Sequence, residues 1–250
     1  MTGTLLAFTQ STPFAHAMTD WIAYFVGARV YLRGRRADPV LLARADLALL
    51  FACTLFGAAA GAVLLHALAS LTWVVGHGAA GWISGKSVLG ALLGGTLGTE
   101  VGKALTGWRT PTGDAWVPAL AIGLVIGRVG CQLAGIWDMT YGSPTGTGYG
   151  WDYGDGVPRY PTGLIEIAGV VVLWVACRPR AAWSKGRAFN AFLLGYCLLR
   201  VALDFLKPPF GATAAGGIAI DRLAGLSAIQ WAGLAGAGWF ATRIARQRSR

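Results

Sequence analysis

The sequence predicts an all-α integral membrane protein, a polytopic helix bundle of about seven transmembrane spans. Three observations carry that expectation. Hydrophobic residues make up 55% of the 250-residue chain and charged residues 13%, against about 25% charged in an ordinary soluble domain. Apolar stretches near the ~20 residues needed to cross a hydrocarbon core recur along the chain, and short basic clusters separate them. Glycine (37) and tryptophan (11) are abundant, as in closely packed membrane helices and their interfacial belts. The same numbers exclude a disordered chain and argue against a water-soluble globule.

The spans are placed at 15–33, 45–65, 87–106, 115–136, 162–177, 189–206 and 223–242. The first is followed by Arg35 and Arg36, a basic stop. After the second, the chain stays uncharged from Leu47 to Gly85, too long for one helix. The Gly-rich part after His66 is therefore expected to be a re-entrant or surface segment, tolerated where protein buries its backbone. The third span carries Gly90, Gly94, Gly98 and Gly102 at an unbroken four-residue spacing, which predicts a seam where another helix approaches closely. The last span, Leu223 to Thr242, holds no charge. No repeat or low-complexity linker interrupts the chain, so residues 1–250 are expected to form a single transmembrane domain. Residues 1–15 lack a basic start followed by an apolar core, so no cleavable leader is expected.

The net charge of +10 is not that of a nucleic-acid binder, which gathers Lys and Arg on one folded face. Here 14 of the 21 basic residues fall in alternate loops, at the span ends beside them and in the tail: Arg33, Arg35, Arg36, Arg44, Lys103, Arg109, Arg178, Arg180, Lys185, Arg187, Arg243, Arg246, Arg248 and Arg250. The other loops hold Lys86, Arg159, Lys207 and Arg222. This bias places the N-terminus outside and the C-terminus in the cytoplasm. Cys53, Cys131, Cys177 and Cys197 show no CxxC spacing, and the three histidines no ligand spacing, so no metal is implied.

A charge at membrane depth costs about 3 kcal/mol or more and is a functional candidate by default. Arg128 lies about two turns from the outer end of the fourth span, and Arg200 under two turns from the outer end of the sixth. Tyr196 and Asp204 stand four residues either side of Arg200, on its face. Glu166 sits near the outer start of the fifth span, just after Arg159, and Gln230 about two turns below the outer end of the seventh. Residues from four helices thus gather in the outer half of the bilayer. Arginines with carboxylates at headgroup depth suit a lipid phosphate, which guanidinium binds bidentately while keeping its charge. Glu100 and Lys103 read as a local ion pair at the inner interface, and His16, His66 and His77 as interfacial residues.

These residues carry a resemblance. Gly127-Arg128-Val129-Gly130, continuing to Gly135, resembles the G-R-x-G-N-F-x-N-G-E segment of bacterial prolipoprotein diacylglyceryl transferases. Arg159-Tyr160-Pro161-Thr162-Gly163-Leu164-Ile165-Glu166 is similar to that family's R-H-P-[ST]-Q-L-Y-E element. Gly195-Tyr196 through Arg200 and Asp204-Phe205 to Pro208 is similar to its G-Y-x-x-x-R-x-x-x-E-F-x-R-x-P element, and Leu226-Ser227-Ala228-Ile229-Gln230 to its L-S-x-x-Q. The matches keep the family's order over roughly residues 15–242. There are departures: Leu89 stands where the third-span pattern has His, Cys131 and Ala134 replace asparagines, and Ile136 replaces a Glu.

The resemblance implies transfer of a diacylglyceryl group from phosphatidylglycerol to the cysteine thiol of a lipoprotein precursor's lipobox, in the bacterial inner membrane, without metal or organic cofactor. It implies phosphate binding by Arg128 and Arg200, with Arg159 and Gln230 as further substrate contacts. Asp204 would hold Arg200, Tyr196 would donate to a phosphate oxygen or order the site, and Glu166 would orient Arg159 or Arg128. The thiol proton would pass to Glu166, Asp204 or His77, or to water once nearby arginines lower the thiol's pKa. Two other classes stay open: a catalytically silent phospholipid-binding paralogue, motivated by Leu89, and a transporter, for which the inner half of the bilayer offers little beyond Glu100.

Overall fold

The computed structural model describes residues 13–36, 46–83, 85–138, 140–178, 180, 183–208 and 222–248. Arg44 and Arg250, counted above with the inner charges, and the first 12 residues of the expected leader-free start lie outside them. Eight α-helices occur among the described residues: α1 (Pro13–Arg36), α2 (Leu47–Ala69), α3 (Leu71–Ile83), α4 (Val88–Thr106), α5 (Trp116–Ala134), α6 (Thr162–Ala176), α7 (Arg187–Asp204) and α8 (Ala228–Arg248). Two antiparallel hairpins accompany them, β1 (Trp151–Asp152) with β2 (Pro158–Arg159) and β3 (Arg222–Leu223) with β4 (Leu226–Ser227). All helices but α3 overlap the expected apolar stretches. The segment after His66 extends α2 to Ala69 and then forms α3, broken at Gly78, whose φ of 55° a glycine adopts without strain.

The last helix starts five residues later than expected. Ala224 (φ 52°) and Gly225 (φ 79°) form a two-residue turn with both centres in the left-handed region, the geometry that closes tight hairpins. It pairs Leu223 with Leu226, so this apolar run becomes a hairpin and α8 begins at Ala228.

The distribution of side chains is inverted relative to a soluble protein. Trp21, Phe56 and Val75 are each at least 75% exposed, while Arg128, Glu166, Arg200 and Asp204 are buried. Such a surface suits lipid tails. By length and composition, α2 and α5 are apolar and long enough to cross a membrane, and α6 is a shorter apolar helix. Charged residues inside the remaining long helices, such as Asp20 and Arg29 in α1 or Arg243 and Arg246 in α8, dilute their apolar character.

The helices form two compact units. In the first, α1 packs along α5 and α5 along α6. Tyr31 stacks on Trp116 with ring centroids 4.0 Å apart. A Cβ on Gly27 would stand 3.4 Å from Ala119 O, and one on Gly127 would stand 3.9 Å from Asp20 Oδ1. The pairings climb one helix as they descend the other, so α1 and α5 run antiparallel. The start of α7 is capped from far along the chain: Gly186 N–H donates to Asp114 Oδ2 (2.7 Å) and Phe189 N–H to Asp114 Oδ1 (2.9 Å). A carboxylate there satisfies two helix N-terminal donors and complements the dipole.

In the second unit α2 lies against α4. The glycine stripe of α4 is the seam the spacing predicts, and it meets glycines: a Cβ on Gly94 would stand 2.9 Å from Gly61 Cα. Thr54 and Thr99 share a hydroxyl–hydroxyl bond of 2.8 Å across it. Ser87 opens α4 by accepting from Gly90 N–H (3.2 Å) and donates its own N–H to Ala62 O (3.0 Å). Glu100 Oε1 binds Lys103 Nζ (3.2 Å), as expected, and also Arg243 Nη2 of α8 (3.1 Å).

Candidate active site

In the first unit, Arg128 of α5 meets Glu166 of α6. Arg128 Nε stands 2.9 Å from Glu166 Oε2, with the side chains 8% and 1% exposed. Arg128 Nη1 lies 3.5 Å from Cys131 Sγ. Small residues create this meeting. A Cβ on Gly130 would strike Thr19 of α1, and one on Gly163, in the first turn of α6, would stand 2.9 Å from Gln132 Oε1. Without side chains at these positions α5 is enclosed by α1 and α6, and the two charges are withdrawn from lipid together. A buried pair is costly to assemble but more costly to break, since removing one member strands the other.

Arg159 takes a different carboxylate from the one the sequence offers. Its Nη2 donates to Asp155 Oδ2 at 2.7 Å, and its guanidinium lies 4.7 Å from the centre of the Tyr141 ring. Burial works to raise the Asp155 carboxyl. The Arg159 hydrogen bond, the Val157 N–H, the Arg159 charge and its own backbone N–H outweigh it and hold the group below its ordinary range. Tyr141 and Tyr153 have ring centroids 6.1 Å apart, and Tyr153 O–H donates to Gln132 Oε1 at 3.1 Å. Burial pushes the Tyr153 phenol above its usual value against opposing effects of Gln132 and Arg159, so it stays a neutral donor. Loop 140–160 is thereby tied to α5 one turn beyond Arg128. Tyr141, Tyr153 and Gln132 have no local sequence signal, because their contacts join residues 12 to 21 positions apart.

In the second unit, Tyr196, Arg200 and Asp204 line one face of α7 and are 0%, 5% and 3% exposed. Asp204 Oδ2 accepts a 2.5 Å hydrogen bond from Ser227 Oγ. Ser227 and Gln230 form a reciprocal cap at the start of α8: Gln230 N–H donates to Ser227 Oγ (3.1 Å), and Ser227 N–H to Gln230 Oε1 (3.0 Å). Gln230 Nε2 reaches Val201 O at 3.4 Å. Gln230, expected two turns inside a span, thus sits in the first turn of α8 and holds the helix start to α7. Leu89 is 1% exposed. A Cβ on Gly233 would touch Leu89, Val201 and Cys197, so Leu89 packs in an apolar contact among α4, α7 and α8.

His77 lies on α3, exposed. His16 Nε2 stands 3.4 Å from Asp20 Oδ2 on α1. Among the described residues no three His, Cys, Asp or Glu side chains gather as metal ligands.

An apolar exterior around a buried arginine–carboxylate pair defines a helical membrane protein. The chain belongs to the prolipoprotein diacylglyceryl transferase family, whose pattern matches residues 15–239. It is similar to the phosphatidylglycerol–prolipoprotein diacylglyceryl transferase 2 of Clostridium perfringens, 29% identical over 136 residues covering 50% of this chain and 51% of that protein. The phosphatidylglycerol–prolipoprotein diacylglyceryl transferase of Aromatoleum aromaticum is 34% identical over 159 residues, covering 55% and 54%. The enzyme of that name from Bordetella parapertussis is 33% identical over 144 residues, covering 51% and 49%. The chain spans about half the length of the curated relatives it matches.

Proposed function

We propose that this protein transfers a diacylglyceryl group from phosphatidylglycerol to the cysteine thiol of a lipoprotein precursor, at the outer face of a bacterial inner membrane. The observation that carries the reading is the buried Arg128–Glu166 pair at 2.9 Å, which lies within the residues matched by the family pattern. In the reaction the thiolate sulfur bonds to the glyceryl carbon, the bond from that carbon to the phosphate oxygen breaks, and glycerol phosphate leaves. Charge accumulates on the phosphate, so preorganised guanidinium groups lower the barrier. Arg128, fixed in plane by Glu166, takes that role. Arg159 attracts the headgroup from the outer loop. Glu166 is engaged with Arg128 and Asp204 with Ser227. This favours arginine-lowered acidity of the thiol, with water taking the proton, over either carboxylate as base.

The chain is read as a single domain of seven spans, with the N-terminus outside and the tail inside. Impermeant-reagent labelling of single cysteines at Ser143 and at Ser249, which lies outside the described residues, tests this. Labelling of Ser249 from outside overturns it.

The buried apolar setting of Leu89 favours a second reading, a phospholipid-binding paralogue without turnover. Purified protein incubated with phosphatidylglycerol and a lipobox peptide separates the two. A peptide mass gain equal to one diacylglyceryl group supports the enzyme. Lipid binding through Arg128 with no mass gain supports the paralogue.

A further inference from the structure

We propose that the Gln132 amide, locked by the Tyr153 hydroxyl, reads the glycerol oxygens of a headgroup whose phosphate rests on Arg128. The inference rests on the transferase reading and adds to it the element that selects the headgroup.

Gln132 follows Arg128 by four residues, on the same face of α5 and roughly 6 Å further along its axis. One end of its amide is engaged, since Oε1 accepts from Tyr153 O–H at 3.1 Å. The other end, Nε2, is buried and makes no hydrogen bond to any of the described residues. A buried donor of this kind calls for an acceptor. Arg159 Nε, on the hairpin that carries Tyr153, is a second buried donor without a hydrogen bond among the described residues. Two such donors, one on the amide bonded to Tyr153 and one on the guanidinium within electrostatic reach of Tyr153, point to a ligand rich in oxygen.

The division of labour follows from charge. A phosphate oxygen is bound most strongly by guanidinium, which leaves a neutral hydroxyl as the partner of a neutral amide. In phosphatidylglycerol the hydroxyls sit on the second and third carbons beyond the phosphate ester, so a headgroup seated on Arg128 extends them along α5. Gly163 makes room for the amide, as a Cβ there would stand 2.9 Å from Gln132 Oε1. Tyr153 is 5% exposed and stays protonated, so the amide keeps one orientation. The pattern this segment resembles carries its amides at the positions of Cys131 and Ala134, and in this chain Gln132, one of the two residues between them, supplies an amide.

The test compares phosphatidylglycerol with phosphatidic acid, which lacks the headgroup glycerol and keeps the phosphate as a more highly charged monoester. Short-chain phosphatidylglycerol and short-chain phosphatidic acid are titrated by calorimetry into the full chain in detergent, as wild type, Gln132→Leu and Tyr153→Phe. The wild type is expected to bind both lipids, and each variant is read by its change from wild type for each lipid, because the two phosphates differ in charge. Gln132→Leu should weaken phosphatidylglycerol about tenfold and leave phosphatidic acid unchanged, which also shows that the variant is folded. Tyr153→Phe should weaken phosphatidylglycerol severalfold in the same selective way. Unchanged phosphatidylglycerol binding in Gln132→Leu, equal loss for both lipids in both variants, or a wild type that binds neither lipid overturns the proposal. Transfer is measured on the same preparations. Gln132-dependent selectivity without transfer sinks the enzyme and keeps the headgroup site, whereas transfer without that dependence does the reverse.

Discussion

Arg128 Nε and Glu166 Oε2 stand 2.9 Å apart with neither side chain more than 8% exposed. Removing either member should destabilise the protein by about 3–5 kcal/mol, because the survivor stays buried and loses the opposite charge it faces. The double variant Arg128→Met/Glu166→Gln should recover most of that loss and still fail to transfer. Thermal unfolding in detergent reads the first expectation. A double variant as unstable as the singles would show that the pair is not the source of the loss.

The glycine seam between α2 and α4 gives a sharp contrast. Gly94→Leu would push against Gly57 and Gly61, where the backbones touch, and should destabilise by about 1–3 kcal/mol. Gly238→Ala on α8 meets nothing within 4 Å and should stabilise slightly, by up to about 1 kcal/mol. Unfolding temperatures check both, and equal shifts would contradict close contact at the seam.

The Asp155–Arg159 pair makes the β1–β2 hairpin acid-sensitive. The folded-state value of Asp155 is depressed, so its contribution is complete above the ordinary carboxyl value of about 3.9 and is lost as pH falls through the lower folded value. Trp151 emission should hold from pH 7 to about 4 and change below it, and Asp155→Asn should remove that change. A transition that survives the substitution would assign it to another group.

Leu89→His restores the residue that the family pattern carries at this place. Because Leu89 is 1% exposed in an apolar contact with α7 and α8, the imidazole should destabilise by about 1–3 kcal/mol without raising transfer. Lipid transfer and unfolding, measured together, decide it. A gain in transfer would show that position 89 still addresses the reaction.

Helix type and the glycine seam were legible because both depend on local periodicity: apolar runs of near-membrane length, and Gly90, Gly94, Gly98 and Gly102 one turn apart. Arg128 and Glu166 were legible as candidates through the cost of charge at depth, though their pairing was one of two options. The hairpin at Ala224–Gly225 was not, since Leu223 and Leu226 read as the continuation of an apolar span until the left-handed turn is seen. The cap role of Gln230 was hidden for the same reason, because it depends on where α8 begins. Asp114 capping α7 and Tyr153 holding Gln132 are contacts across 72 to 75 and 21 residues. No periodicity encodes them.

The central claim is that Arg128 stabilises a departing phosphate, and the rate of diacylglyceryl transfer by Arg128→Lys tests it most directly. Lysine keeps the positive charge beside Glu166 and so preserves folding better than alanine, but an ammonium cannot present a planar fork to two oxygens. The account predicts single-turnover transfer about 100- to 1000-fold slower than wild type, with the protein folded and still inserted in the membrane. Transfer at the wild-type rate by folded Arg128→Lys and Arg128→Ala proteins would contradict it.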